Sequence, residues 1–137
     1  MHLSNTSQYA IRILSYIANN KEKELYSAKE VSEVLAIPYK FLTKIMTDLV
    51  KREFIVSIRG REGGYRLARE ASSITVWEIL TLFNETNDQE ECLLGIGKCD
   101  GSNKCGLHDQ WLKPKSEIQE MFESTSLENL EGSNFKI

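Results

Sequence analysis

Apolar residues near the start of the chain recur at the spacing of an amphipathic helix. This spacing predicts a first helix over residues 6–20, with Ser4 or Asn5 as its N-cap. The polar run over residues 19–24 then predicts a loop. The apolar positions are Tyr9, Ile13, Leu14, Ile17 and Ala18.

A second, shorter helix is predicted over residues 27–35. Ser27 followed by Glu30 has the capping-box form, in which the serine accepts from the glutamate amide and the glutamate side chain reaches back. Val34 is among the residues expected to face inward. Pro38 then interrupts the pattern, because proline disfavours helical geometry at the residue before it and is tolerated in the first turn of a helix.

A third helix, over residues 39–52, is strongly two-faced. Its apolar stripe predicts packing against a core, and its opposite side is polar and basic. The apolar residues are Leu42, Ile45, Met46 and Leu49, and the polar ones are Lys40, Thr43, Lys44, Thr47 and Lys51.

A β-hairpin follows the third helix. Residues 54–58 and 65–67 favour strands, and the glycine-rich residues 59–64 favour a turn between them. A further short helix is predicted from Val76 to Phe83. Three helices with a tight break between the second and third, followed by a hairpin, predict a mainly α fold, the winged helix-turn-helix. The third helix of such a fold enters the major groove of DNA.

Candidate DNA contacts therefore lie on the third helix, on the wing and at the start of the second helix. Thr43 is suited to a base edge or a thymine methyl, and Lys40 and Lys44 are suited to guanine or phosphate. An arginine on the wing can enter a narrow minor groove, and helix-start amides can receive a phosphate. The predicted contacts are Ser27, Lys29, Tyr39, Lys40, Thr43, Lys44, Arg59, Arg61, Gly63 and Tyr65.

The charge of the chain is unevenly divided. Residues 1–84 contain 12 Lys and Arg against 9 Asp and Glu, a balance of +3, whereas residues 85–137 contain 5 against 11, a balance of −6. The net charge of −3 therefore conceals a basic first part. Local charge sets the field that a phosphate backbone meets, so the overall negative charge does not exclude DNA binding.

All three cysteines and one of the two histidines lie close together in the second part. Cys92, Cys99, Cys105 and His108 share a loop with four glycines. Thiolate and imidazole ligands suit an iron–sulfur cluster or zinc. The spacing lacks the Cys-x-x-Cys pairs of most structural zinc sites. From the residues alone, a cluster, zinc and unligated thiols all stay open.

Residues 59–68, RGREGGYRLA, and residues 37–42, IPYKFL, resemble the Rrf-type winged-helix transcription regulators. The similarity runs over nearly the whole chain and includes the IscR and NsrR types of that family. It implies a homodimer on a partly palindromic, double-stranded operator. It also implies that a long C-terminal helix, predicted from about residue 107 to 122, forms much of the dimer interface.

The same resemblance implies the ligands of an iron–sulfur cluster, expected to be [2Fe–2S]. The cysteines match the cluster ligands of the family, and His108 matches the fourth ligand of the IscR type. Other members take a carboxylate from the first helix, where this chain has Gln8, a poor ligand, which favours His108. The alternatives are a cluster-free or zinc-bound regulator, and a small electron carrier, which would not explain the winged helix.

Three parts are predicted: a DNA-binding domain at 1–84, a cluster loop at 85–109, and a dimerisation helix with its tail at 110–137. No signal peptide or apolar span is recognisable, so we expect a cytoplasmic protein without membrane contact. No catalytic set or phosphate-binding loop occurs, so we expect no enzyme. The predicted function is transcriptional repression in response to cluster supply, redox state or nitric oxide.

Overall fold

The computed structural model describes residues 3–20 and 23–130, apart from the side chains of residues 87–89. Three parts of the chain lie outside the described residues: residues 1–2, residues 21–22 of the predicted loop, and residues 131–137 of the predicted tail. The helices and strands are α1 (Asn5–Asn19), α2 (Ala28–Leu35), α3 (Tyr39–Lys51), β1 (Ile55–Ile58), β2 (Gly64–Leu67), α4 (Val76–Leu82) and α5 (His108–Ser124). Short 3₁₀ helices cover Ala71–Ser73, Glu85–Glu90 and Glu128–Leu130.

Side-chain caps fix where the helices begin. Ser27 accepts a hydrogen bond from the Glu30 amide at 3.1 Å, but the Glu30 carboxylate pairs with Lys23 instead of closing the predicted box. A complete capping box begins α4, where Thr75 and Glu78 bond each other's backbone amides. Such a cap is worth about 1 kcal/mol. The predicted cap of α1 is confirmed as Ser4.

One hydrophobic core joins α1, α2, α3 and α4. Fully burying each large aliphatic side chain stabilises the fold by about 1.5–3 kcal/mol. Val31 and Leu35 of α2 are buried there, whereas Val34, predicted to face inward, is 57% exposed. At about 100° per residue, Val34 lies well to one side of the direction shared by Val31 and Leu35. The largest fully buried side chains include Ile13, Leu14, Ile37, Leu42, Met46, Leu49 and Ile79.

The antiparallel strands β1 and β2 form the wing, with Ile55 opposite Leu67 and Ile58 opposite Gly64. The returning strand is also tied to the residue that precedes the cap of α2. The Tyr26 amide donates to the Tyr65 carbonyl at 2.9 Å, and the Tyr65 amide donates to the Tyr26 carbonyl at 2.8 Å. The wing therefore has a fixed position relative to the helix-turn-helix.

The chain returns to this core after α5. The Val76 amide donates to the Thr125 carbonyl, and the Leu127 amide donates to the Ile74 carbonyl, both at 2.9 Å. Leu127 is fully buried among the residues of the main core. The end of α5 is therefore anchored next to the start of α4.

The last helix was predicted to begin at about residue 107, and α5 begins at His108. Pro114 therefore lies in its second turn. Proline has no amide, so the Gln110 carbonyl lacks its usual partner. In the described part of the chain, no helix combines the length and apolar character needed to cross a membrane.

Candidate nucleic-acid interface and cysteine site

The outer face of α3 is polar, basic and uncovered in the single chain. Leu42, Ile45, Met46 and Leu49 hold the opposite face in the core. Lys40 and Lys44 are exposed, Tyr39 is 56% exposed, and Thr43 is half-buried. Thr47, one turn beyond Thr43, is exposed as well. This face can meet a phosphate-lined groove with cations along its edge and small side chains at its centre.

The two threonines of this face bond back to their own helix. The Thr43 hydroxyl donates to the Lys40 carbonyl at 3.1 Å. The Thr47 hydroxyl donates to the Thr43 carbonyl at 2.8 Å. Because a carbonyl can only accept, both hydroxyl hydrogens are used inside the helix.

The break between α2 and α3 is fixed by local bonds that sequence patterns do not reveal. Ala36 adopts the left-handed conformation with φ 52°, and the Ile37 amide donates to the Ser32 carbonyl at 3.1 Å. The Ser32 hydroxyl donates to the Ile37 carbonyl at 2.6 Å. The Arg12 guanidinium of α1 donates to the Leu35 carbonyl at 2.6 Å. These bonds set the angle at which α3 is presented.

The turn of the wing presents two exposed arginines, Arg59 and Arg61. The Gly63 amide donates to the Gly60 carbonyl at 3.1 Å and closes the turn. A Cβ at Gly63 would lie 2.1 Å from the Ile58 carbonyl oxygen, so only glycine fits this conformation. The two arginines therefore sit on a turn with a defined shape.

Two of the remaining predicted contacts, Tyr65 and Ser27, have structural partners of their own. Tyr65 is half-buried and packs against the core. Ser27 and Lys29 are exposed, but the Ser27 hydroxyl already accepts from the Glu30 amide. A phosphate at this helix start would meet the other amides of the first turn. DNA contact by these residues stays a prediction.

The four candidate ligands are brought together as two pairs. Cys99 Sγ lies 3.5 Å from His108 Nδ1. A side-chain hydrogen bond with Cys105 is among the contacts that lower the pKa of Cys92. His108 is 5% exposed at the first residue of α5, and Cys92 is 8% exposed in the loop. Residues far apart in the loop therefore converge beside the start of α5.

Backbone amides surround the Cys92 sulfur. Hydrogen bonds from the Ile96 and Leu94 amides lower the pKa of Cys92, although desolvation opposes them. The turn that aims these amides contains Gly95 and Gly97 at φ 73° and 68°, a region that side chains disfavour. The Cys92 amide donates to the Gly97 carbonyl at 2.9 Å. This environment favours the thiolate, which is the metal-binding form.

The rest of the loop is held by short polar contacts. Asp100 accepts from the amides of Ser102 and Asn103 at 2.9 and 2.8 Å, and from the Ser102 hydroxyl at 2.7 Å. These bonds, led by that hydroxyl, lower the pKa of Asp100. Lys104 forms an ion pair with Asp109 at 3.0 Å. The loop thus has a defined conformation between its cysteines.

The donor set is chemically suited to an iron–sulfur cluster, since thiolate and imidazole are both ligands of such clusters. Each iron of a [2Fe–2S] cluster takes two protein ligands, which matches two pairs of soft donors. Zinc needs four donors around one point, and residues 3–20 and 23–130 hold no group of three or more His, Cys, Asp or Glu placed for one ion. Gln8, which stands where other family members are expected to have a ligand carboxylate, is exposed. Its side-chain Nε2 donates to the Leu3 carbonyl at 2.7 Å.

The helix α5 leaves an apolar surface open beside this site. Only His108 of α5 is buried among the described residues. Leu107, just before the helix, is 38% exposed, Leu112 is 47% exposed and Met121 is 52% exposed. Trp111 is half-buried, as are Ile118 and Phe122. Such a surface is typical of an interface between subunits.

These features define a winged helix-turn-helix protein with a cysteine loop. Residues 3–132 match the Rrf2 family, described as iron-dependent transcriptional regulators. The chain belongs to this family, which confirms the predicted family and fold and the prediction that it is not an enzyme. Transcriptional regulation and DNA binding are the functions of the class.

The similarity to individual relatives covers most of each chain. A protein named as an HTH-type transcriptional regulator of Aquifex aeolicus (strain VF5) is 39% identical over 132 residues, which are 95% of this chain and 91% of the relative. The HTH-type transcriptional regulator IscR of Escherichia coli (strain K12 / DH10B) is 33% identical over 111 residues, 81% and 68% of the two chains.

Solved structures share the fold. CymR, the global cysteine regulator of B. subtilis, matches with a TM-score of 0.80 and 22% identity, covering 95% of both chains. IscR of T. potens matches with a TM-score of 0.72 and 24% identity, covering 95% of this chain and 85% of the other. At these identities the comparison concerns the fold alone.

Proposed function

We propose that the chain is a homodimeric regulator that binds a double-stranded operator with α3 in the major groove and the wing at the adjacent minor groove. The basic, uncovered face of α3, held at a fixed angle to the two-arginine wing, is the observation that carries this proposal. Lys40 and Lys44 flank the face, and Arg59 and Arg61 extend it. Contacts from such cations supply most of the non-specific affinity for DNA.

Dimerisation would use α5. Its exposed apolar residues, including Leu112 and Met121, are otherwise left in water. A second copy of the same helix would cover them through a two-fold interface, the commonest symmetry of soluble oligomers. Two reading helices related by that symmetry match a palindromic operator.

The proposed cofactor is a [2Fe–2S] cluster held by Cys92, Cys99, Cys105 and His108. The two donor pairs and the family description as iron-dependent regulators support it. When bound, a cluster supplies a centre sensitive to oxidants, nitric oxide and iron supply. The chain's own residues hold it: the amides around Cys92 stabilise one thiolate, and the buried imidazole replaces a fourth thiolate.

The cysteine loop is connected to the DNA-binding part through α4. This helix packs against both the 3₁₀ helix Glu85–Glu90 and α5. Ordering of the loop would therefore bias the dimer toward the arrangement that fits the operator, an order–disorder switch. The resulting change in the free energy of operator binding equals the free energy by which the ordered loop stabilises that arrangement over the other, typically about 1–3 kcal/mol. The proposed site of action is the cytoplasm, and the proposed mode is repression.

Iron, acid-labile sulfide and zinc analysis of protein purified without oxygen tests the cofactor. Two irons and two sulfides per chain, with visible charge-transfer absorbance, are expected. His108→Ala should change the spectrum and lower the iron content, whereas Gln110→Ala, on the exposed face of α5, should not. Stoichiometric zinc, or no metal after iron and sulfide are supplied, would instead establish the zinc-bound or cluster-free regulator.

A further inference from the structure

The outer face of α3 carries two threonines whose hydroxyl hydrogens are already used. Thr43 donates to the Lys40 carbonyl and Thr47 donates to the Thr43 carbonyl, at 3.1 and 2.8 Å. What each side chain can still offer to a ligand is its methyl group and the acceptor lone pair of its oxygen. Neither threonine can donate to a base without giving up its bond to the helix.

This restriction has a chemical consequence in the major groove. Guanine presents two acceptors there, N7 and O6, and so requires a donor. Thymine presents a methyl group, and its partner adenine presents the N6 amino donor. Cytosine also presents an amino donor, so an acceptor oxygen does not distinguish the two kinds of pair. The threonine methyl does, because only an A·T pair offers a methyl group for it to contact.

We propose that Thr43 and Thr47 select A·T pairs in the operator, through van der Waals contact with the thymine C5 methyl groups. The proposal rests on the proposed function, since it requires α3 to lie in the major groove. It adds Thr47 to the predicted contacts and assigns a base preference to both positions. Lys40 and Lys44, at the edge of the face, hold the nearby phosphates or guanines.

The spacing of the two threonines limits which base pairs they read. Residues four apart lie about 6 Å apart along a helix. Base pairs rise by about 3.4 Å. The two selected pairs should therefore be within about two steps of each other in each half-site.

The test begins with selection of bound sequences from a pool of random duplex DNA by the full chain. Selected thymines are then replaced one at a time by deoxyuridine, which removes only the C5 methyl. Losing a buried methyl contact, about 0.8 kcal/mol, should weaken binding about fourfold. Thr43→Ser and Thr47→Ser remove only the protein methyl, and each should weaken binding about fourfold per half-site, or about 16-fold for the dimer, and abolish the deoxyuridine effect at its own base pair.

Matched variants exclude indirect effects. Thr81 of α4 is exposed and makes the same kind of bond, to the Trp77 carbonyl at 2.8 Å, but lies on another helix. Thr81→Ser should leave DNA affinity unchanged. Thr43→Val and Thr47→Val keep the methyl, so they should retain the deoxyuridine effect even where the serine variants lose stability.

The outcomes distinguish failure of the threonine readout from failure of the proposed DNA-binding function. Two results would overturn the threonine readout without contradicting the proposed DNA-binding function. One is selection of a sequence in which replacing thymine by deoxyuridine does not weaken binding, and the other is selection of G·C at the pairs affected by the serine variants. Failure of the wild-type chain, with or without cluster, to select any sequence would overturn the proposed function itself. Selected A·T pairs whose deoxyuridine effect vanishes in the serine variants would establish the readout.

Discussion

Replacing Gly63 with alanine tests whether the shape of the wing matters for DNA binding. The new Cβ would lie 2.1 Å from the Ile58 carbonyl oxygen, and real Cβ contacts are at least 3.0 Å. The turn must therefore open by at least 0.9 Å at the last β1–β2 pair, since every close atom is backbone. Overpacking of this kind costs about 1–3 kcal/mol, and at this chain length 1 kcal/mol corresponds to about 4 °C in Tm.

We therefore expect Gly63→Ala to lower Tm by about 4–12 °C, as measured by circular dichroism on cluster-free protein. Because the turn carries Arg59 and Arg61, the slope of log affinity against log salt should also fall, by up to about 2 per subunit of the proposed dimer. Gly101→Ala is the matched control, since no atom lies within 4 Å of its Cβ. If Gly63→Ala keeps both the wild-type Tm and the wild-type salt slope, the shape of this turn neither stabilises the fold nor positions Arg59 and Arg61 on DNA.

Three further changes test separate parts of the account. Because each variant removes one cation from both subunits of the proposed dimer, Lys44→Ala and Arg59→Ala should each lower the salt slope of operator binding by about 1.8, or about 0.9 per subunit, and unchanged slopes for both would contradict the assigned reading surface. Burial opposes ionisation of Glu78, but bonds from a backbone amide and from Arg69 outweigh it and lower the pKa of this carboxyl. Its stabilisation is therefore complete above its ordinary value of 4.5 and lost as the pH falls through the lower folded value. Glu78→Gln should weaken the dependence of unfolding free energy on pH between about pH 6 and about pH 3, and an unaltered dependence would refute the sign. His108→Ala should shift the visible spectrum and lower the reduction potential or iron content of anaerobic protein, while an unchanged spectrum and potential would place the fourth ligand elsewhere.

The sequence predicted the order and type of the main elements because periodicity and turn chemistry are local. Ser4 and the start of the Ser27 helix follow from capping residues that can be read directly. Val34 was misjudged for a tertiary reason, because an apolar residue at the edge of a stripe can stay exposed.

The candidate site was predictable in composition but not in arrangement. The cluster of soft donors was visible in the sequence, but pairing Cys99 with His108 requires the loop to fold back. Bonds such as that from Arg12 to the Leu35 carbonyl join residues with no sequence signature. The hydrogen bond from the Thr47 hydroxyl to the Thr43 carbonyl depends on the side-chain rotamer of Thr47. The sequence therefore identified Thr47 only as one residue of a polar face.

We propose that an iron–sulfur cluster in the cysteine loop controls operator affinity. It is tested most directly by titrating one selected DNA fragment, at fixed salt and without oxygen, with the same preparation before and after cluster reconstitution. We expect the loaded dimer to bind about 5–150-fold more tightly, and a Cys92→Ser variant treated in the same way to show no such gain. Equal affinity of the loaded and unloaded protein for that fragment would contradict it.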